Sequence, residues 1–227
     1  MSIWARIAET LASIGESVGA FLQSIVSRDP TPPEKSVAFT IGMIGLGAKM
    51  AKADGVVTED EIRAFKQVFH IPDGELATVA RVFNLAKQDV AGYETYARQI
   101  AKLFDARADV LEDVLDGLVH IAKADNAFHP GEHGFLRRVA DIFGFSEADF
   151  ARIRARHVDV PDDPFLILGL PRDAAPDAVR KRYRELVREH HPDRHIAAGV
   201  PEEMVELATE RLQKINEAYE RIMEMAG

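Results

Sequence analysis

The stretch REHHPDRHIAAG, residues 188–199, gathers His190, His191, Asp193 and His195 around one proline. Side chains of these types can ligate a divalent metal in a hydrolase, exchange protons, or form a contact loop whose shape matters more than its proton chemistry. Adjacent histidines in an extended turn point in different directions. His120, His129 and His133 lie far away in the chain, so no second cluster supplies the missing ligands or a general base. The absence of cysteine removes thiolate zinc sites, cysteine nucleophiles and disulfides together. A metal hydrolase is therefore the weaker reading, and the expectation is a binding protein rather than an enzyme.

The flanking sequence explains the same residues better. A residue before proline is pushed out of the α region, so a helix must end near His190, His191 is extended and Pro192 sets the next bend. Upstream, after Asp173 to Asp177, Val179, Tyr183, Leu186 and Val187 share one helix face, and Arg180, Lys181, Arg182, Arg184 and Arg188 populate the rest. Ala178 to His190 carries five basic residues against two acidic, +3 in a chain whose net charge is −9. Local basicity on an acidic background suits an acidic partner. Downstream, a second long helix is expected from about Pro201, with Met204, Leu207, Leu212, Ile215, Ala218 and Tyr219 as its buried stripe. Two antiparallel helices would then present His191, Pro192 and Asp193 on an exposed loop.

A second set of candidates is acidic. AKADGVVTEDEI (51–62) aligns without gaps to AKADNAFHPGEH (122–133), an internal repeat. Each copy joins an apolar helix to an acidic one through a turn carrying Asp54 or Asp125, with Glu61 or Glu132 following. Asp-Gly, five residues and Glu form the tail of an EF-hand loop. The earlier ligand positions fall on Met50 and Lys52, or Ile121 and Lys123, which offer no side-chain oxygens to a hard cation. Turn and cap roles explain these carboxylates more simply.

The elements that must position these residues are helical. No stretch sustains a two-residue apolar alternation, whereas helical stripes recur, such as Ile62, Phe65, Val68 and Phe69, or Val110, Leu111, Val114, Leu115 and Leu118. Ser146 with Asp149 and Thr58 with Glu61 have capping-box spacing. The fold class expected is all-α. SRDPTPPE (27–34) and DVPDDP (159–164) break the chain into an N-terminal helix with a proline-rich linker (1–34), a middle helical block (35–158) and a C-terminal helix hairpin (159–227). At 47% hydrophobic and 29% charged the composition is that of a soluble globular protein, and the acidic balance speaks against nucleic acid. In the N-terminal segment Ile7, Leu11, Ile14, Val18, Phe21 and Ile25 form a heptad seam, which could pair with a second copy, lie on lipid or pack on its own domain. Its longest uncharged run, Ser17 to Ser27, is 11 residues, short of the roughly 20 needed to span a bilayer.

Two resemblances add to this reading. Through the duplicated AKADG-x-V-T-x-x-E pattern, residues 36–156 resemble the TerB-like domain, a helical module of tellurite-resistance and membrane-stress proteins. That resemblance implies metal association through Asp54, Glu61, Asp125 and Glu132. Through the ILGL turn, the RKRYREL helix, His-Pro-Asp and INEAYE, residues 164–227 resemble the J domain of DnaJ-type co-chaperones. The implied function is stimulation of ATP hydrolysis by a DnaK-type chaperone. His191, Pro192 and Asp193 would contact that partner, and Arg180, Tyr183, Arg184 and Arg194 match positions lining the family's basic docking face. Such a loop binds one conformation of its partner and shifts its population, doing no chemistry itself. Glu185 stands where the family is often basic and His190 where it often has tyrosine, which leaves partner choice open.

A TerB-like block with a C-terminal J domain resembles the DjlA group of bacterial inner-membrane co-chaperones, which carry an N-terminal transmembrane segment. No such segment is legible here. The expected location is the cytoplasm, with peripheral attachment to the inner membrane through Ile3 to Val26 as the alternative. Two functions stay open: a co-chaperone whose TerB-like domain binds a client, signal or partner, and a stress- or metal-sensing adaptor in which the J domain is only a scaffold.

Overall fold

The computed structural model describes residues 3–13, 17–28, 30–54, 59–69, 71–89, 92–104, 108–124, 130–157, 163–197 and 202–226, and among these residues there are helices and no strands. The amphipathic N-terminal segment is two helices, α1 (Ile3–Ser13) and α2 (Val18–Val26), rather than one. Ser17 is extended, with φ −128°, and caps α2 by accepting from Ala20 N–H at 3.1 Å. Its hydroxyl also donates to Asp89 Oδ2 at 3.0 Å, and Gly19 N–H donates to the same oxygen at 2.8 Å. A buried carboxylate distant in sequence therefore fixes where α2 begins. The heptad seam packs inward: Trp4, Ile7, Leu11, Val18 and Leu22 are buried in the main core, with Phe21 and Ile25 against it. Ile14 lies outside the described residues. The apolar face that could have served a second copy or a bilayer is spent on the protein's own domain. Among the described residues, no helix is long and apolar enough to cross a membrane.

The proline-rich break ends inside a helix start. α3 (Pro32–Asp54) opens on prolines, whose missing N–H and fixed φ suit a first turn. From Val37 to Ala51 every residue of α3 is buried, so this helix is the axle of the domain. After α4 (Glu59–Val68), which packs against the later helix of residues 108–122, a 3₁₀ turn at Asp73–Glu75 leads into α5 (Leu76–Gln88), and α5 and α6 (Tyr93–Leu103) pack along the axle. The second half repeats the scheme: α7 (Ala108–Ala122) is buried over most of its length, as α3 is, and hands on to α8 (Pro130–Phe143) as α3 does to α4. α9 (Glu147–Ala155) follows, with the expected capping box: Ser146 Oγ accepts from Asp149 N–H at 3.2 Å, and Asp149 Oδ2 accepts from Ser146 N–H at 3.0 Å. Thr58 lies outside the described residues. Of the first expected stripe, Val68 and Phe69 are buried and Phe65 packs on the core, but Ile62 is exposed.

The C-terminal part has its own core. α10 (Pro164–Leu168) is capped by Asp163, which accepts from Phe165 N–H at 3.1 Å, and ends at Gly169, whose φ of 69° needs a residue without Cβ. α11 (Pro176–Glu189), the short α12 (Pro192–Ala197) and the long α13 (Glu202–Ala226) complete it. Ile167, Leu168, Val179, Leu186, Ile215, Ala218 and Ile222 form a cluster that shares no member with the main core. Of the stripe expected on α13, Ile215 and Ala218 are buried and Leu212 and Tyr219 are half-buried; the side chains of Met204 and Leu207 lie outside the described residues.

Candidate functional site

The turn between α11 and α12 holds the His-Pro-Asp sequence. His190 closes α11, with φ −105° and its N–H donating to Leu186 O at 2.9 Å. His191 is outside any helix, and Pro192 opens α12 at the position proline favours. His191 Nδ1 accepts from Asp193 N–H at 3.2 Å, which makes Nε2 the protonated nitrogen when the ring is neutral. Arg194 N–H donates to His191 O at 3.0 Å, and Arg194 Nη1 donates to Arg188 O at 3.3 Å, tying the turn back to the end of α11. The side chain of His191 is 50% exposed and that of Asp193 is 85% exposed. These bonds lace the tip together while leaving both side chains largely accessible.

The basic face of α11 is exposed beside this tip at Arg180, Lys181, Arg184 and Arg188. Arg180 pairs with Asp177 at 3.0 Å and Arg184 Nε donates to Arg180 O at 3.2 Å. Tyr183, expected on the docking face, also serves the hairpin: its ring stacks on Tyr219 with centroids 4.1 Å apart, and its hydroxyl donates to Asn216 Oδ1 at 3.0 Å. Of the expected contact residues, His191, Asp193, Arg180, Arg184 and Arg194 are exposed, Pro192 is half-buried, and Tyr183 lies at the seam of the hairpin.

His190, one residue away, has the opposite environment. It is buried, and burial first, then the positive Arg211 beside it, push its imidazole far below the usual range, so it stays neutral. It borders a buried ionic cluster. Arg211, from α13, is fully buried and bonds Glu112 and Asp113 of α7. Arg156 bonds Glu112 and, at 3.1 Å, Asp116; Arg152 reaches Glu112 at 2.9 Å. Burial alone would raise the Glu112 carboxyl, but the guanidiniums of Arg211, Arg156 and Arg152 together hold it well below its usual value. Asp116 is likewise held down against its burial, by His157 and Arg156. The same carboxylates raise Arg211, against its own desolvation. Lys214 Nζ donates to Arg156 O at 2.8 Å, and Arg194 Nε stands 4.0 Å from Asp109 Oδ2.

Comparison with known proteins decides the family. The family model for Tellurite resistance protein TerB matches residues 40–155, and that for the DnaJ domain matches residues 163–225. The Co-chaperone protein DjlA of Coxiella burnetii is 30% identical over 195 residues, covering 76% of this chain and 72% of the relative. The chain belongs to the DjlA family. The DjlA co-chaperone of Escherichia coli K12 is 26% identical over 222 residues, 86% of this chain and 82% of its own, and that of Vibrio parahaemolyticus is 26% identical over 253 residues, 97% and 87% respectively. Solved structures yield no match. An all-α TerB domain is thus followed by a C-terminal J domain.

The acidic candidates are less visible. Asp125 and the side chains of Asp54 and Glu61 lie outside the described residues, as does the side chain of His195. Glu132 is buried on α8. Among the described residues no group of three or more histidine or acidic side chains is disposed to hold a metal. Reading the sequence missed the cluster around Arg211. One signal was present: Ala208, Arg211, Ile215, Ala218 and Ile222 step by three and four along α13, so Arg211 stands inside a buried stripe and demands a buried counter-charge.

Proposed function

We propose that this protein recruits a DnaK-type chaperone and stimulates its ATP hydrolysis, with His191, Pro192 and Asp193 touching the partner and Arg180, Arg184 and Arg194 steering it. The supporting observation is the laced, exposed His-Pro-Asp tip beside an exposed row of arginines on α11. A preorganised loop loses little entropy on binding, so its contacts can be spent on selecting one state of the partner. No general base, nucleophile or bound group is asked for, because the partner hydrolyses the nucleotide. The relatives are named co-chaperones, which agrees with this role.

The TerB domain supplies the second half of the proposal, the capture of apolar segments of client proteins. A half-open cavity of about 450 Å³ lies among α3, α4 and α5, lined by Met50, Phe65, Val79 and Phe83 with Lys66 among its walls, and its surface is nearly all apolar. Such a cleft suits an apolar segment of an incompletely folded chain. The cysteine-free chain acting on an ATP-dependent chaperone fits the cytoplasm.

Single-turnover ATP hydrolysis by the DnaK-type chaperone of the same organism tests the first half. The full-length protein should accelerate it, and His191→Gln should abolish the acceleration while leaving circular dichroism unchanged. Equal acceleration by the variant would sink the proposal.

A further inference from the structure

The two hydrophobic cores share no member, and buried ion pairs bridge them. Arg211 of α13 is fully buried yet belongs to the J domain, and its partners Glu112 and Asp113 belong to α7 of the TerB domain. Lys214 on the same helix bonds the carbonyl of Arg156, and Arg194, beside the His-Pro-Asp tip, faces Asp109 one turn along α7. Asp109, Glu112 and Asp113 therefore form a carboxylate row that meets Arg194 of α12 and Arg211 of α13, while Arg152 and Arg156 of the TerB domain share Glu112 and Arg156 and His157 hold Asp116, one turn further on.

An interface of this kind differs from a split hydrophobic core. Opening it splits neither hydrophobic core, and both sets of charges regain water. Its attraction is weakened by salt at the rim. Interdomain contacts of modest size and polar character are the ones that open and close. The row is also chemically similar to what the basic face of the J domain is built to meet, an acidic partner surface. Arg194 is offered to both, and its side chain is 49% exposed while facing Asp109.

We propose that the carboxylate row on α7 is an intramolecular docking site for the J domain, and that it competes with the chaperone, so that undocking raises stimulation. This rests on the co-chaperone reading above. The docked state holds the shoulder of the loop, His190 and Arg194, against the TerB domain while the tip stays outside. A chaperone of acidic surface must displace Asp109 from Arg194 and tolerate the neighbouring carboxylates, or bind the minor undocked form. Its apparent affinity is reduced by the fraction of protein that is docked.

The chain contains no cysteine, so paired labels can be placed cleanly. Gln67→Cys on α4 and Lys181→Cys on α11, both exposed positions, carry spin labels for distance measurement by pulsed electron resonance in the full chain. A narrow distance distribution is expected at low salt. It should broaden as salt rises, and should be broad at low salt in the Asp109→Asn/Asp113→Asn variant. Without labels, that variant should reach half-maximal stimulation of the chaperone's ATPase at a concentration lower by about 5-fold or more. Asp109→Asn alone, which touches only the rim, should move both readouts the same way by less, and serves if the double variant misfolds. Distances that ignore both salt and substitution would overturn the docking, and broadened distances with unchanged or weaker stimulation would overturn the competition. If distances respond but neither wild type nor variant stimulates, the co-chaperone reading falls, and the proposed competition with it.

Discussion

His190 and His191 are neighbours in sequence with opposite surroundings: the first is buried among guanidiniums and the second stands half in water. Substituting one tests structure and substituting the other tests contact. His191→Gln exchanges one half-exposed polar side chain for another outside both cores, so its unfolding free energy should stay within about 0.5 kcal/mol of wild type while stimulation is lost. Thermal melting alongside the ATPase assay separates the two effects; a large loss of stability would make the loop a structural element. Tyr183 offers a parallel separation. Tyr183→Phe keeps the stack on Tyr219 and removes the bond to Asn216, so chemical denaturation should show a loss of about 1 kcal/mol. No loss would mean that the hydroxyl faces the partner more than it holds the hairpin.

At the scale of elements, the apolar stripes made the helices legible. Val110, Leu111, Val114, Leu115 and Leu118 are buried as their spacing requires, and Ser146 with Asp149 caps α9. The break between α1 and α2 was not legible, because its cause is Asp89, distant in the chain. One Asp89 oxygen accepts from Ser17, Gly19 and, at 2.9 Å, from the Tyr96 hydroxyl, while Lys49 Nζ donates to the Asp89 backbone oxygen at 2.6 Å. A local pattern cannot announce a cap supplied across the fold. Asp89→Ala would keep the backbone oxygen that Lys49 meets but take the acceptor from the Ser17 hydroxyl, the buried Gly19 N–H and the buried Tyr96 hydroxyl, at a cost of roughly 3 kcal/mol. Hydrogen exchange should show α2 losing protection before the rest of the domain; uniform loss would mean that α2 is held by packing instead. The same tyrosine limits α3. A Cβ on Gly45 would collide with Tyr96 ring carbons, and the bond to Asp89 keeps that ring from swinging away. Gly45→Ala should therefore destabilise by about 1–3 kcal/mol, although alanine is the better helix former. An unchanged or raised melting temperature would show that the ring can move.

Across the whole molecule, the TerB domain and the hairpin were readable as separate units because each has its own apolar pattern, whereas their junction was not. A junction made of arginines and carboxylates resembles solvated surface in a sequence, and only the intrusion of Arg211 into the stripe of α13 betrays it. This junction also gives the molecule a dependence on acidity. His190 is held down to about 2 from an ordinary 6.5, so between those values the unfolded chain binds a proton that the folded one refuses. The stabilisation is complete above pH 6.5 and is lost as the pH falls toward the depressed value. The slope contributed is about 1.4 kcal/mol per pH unit once the unfolded imidazole is fully charged. His120 is shifted in the same direction, by burial first and then by His157, so it adds to the slope. Glu112 and Asp116, both held low, also favour the folded state at neutral pH, but their unfolded partners take up protons only near pH 4. The window from about 6.5 to 5 therefore isolates the imidazoles. Urea unfolding across that window should show stability falling with pH in the wild type and falling less steeply in His190→Phe, whatever constant offset the larger ring introduces. Parallel slopes in the two proteins would mean that His190 takes up its proton in the folded state, and that water reaches the junction between the domains.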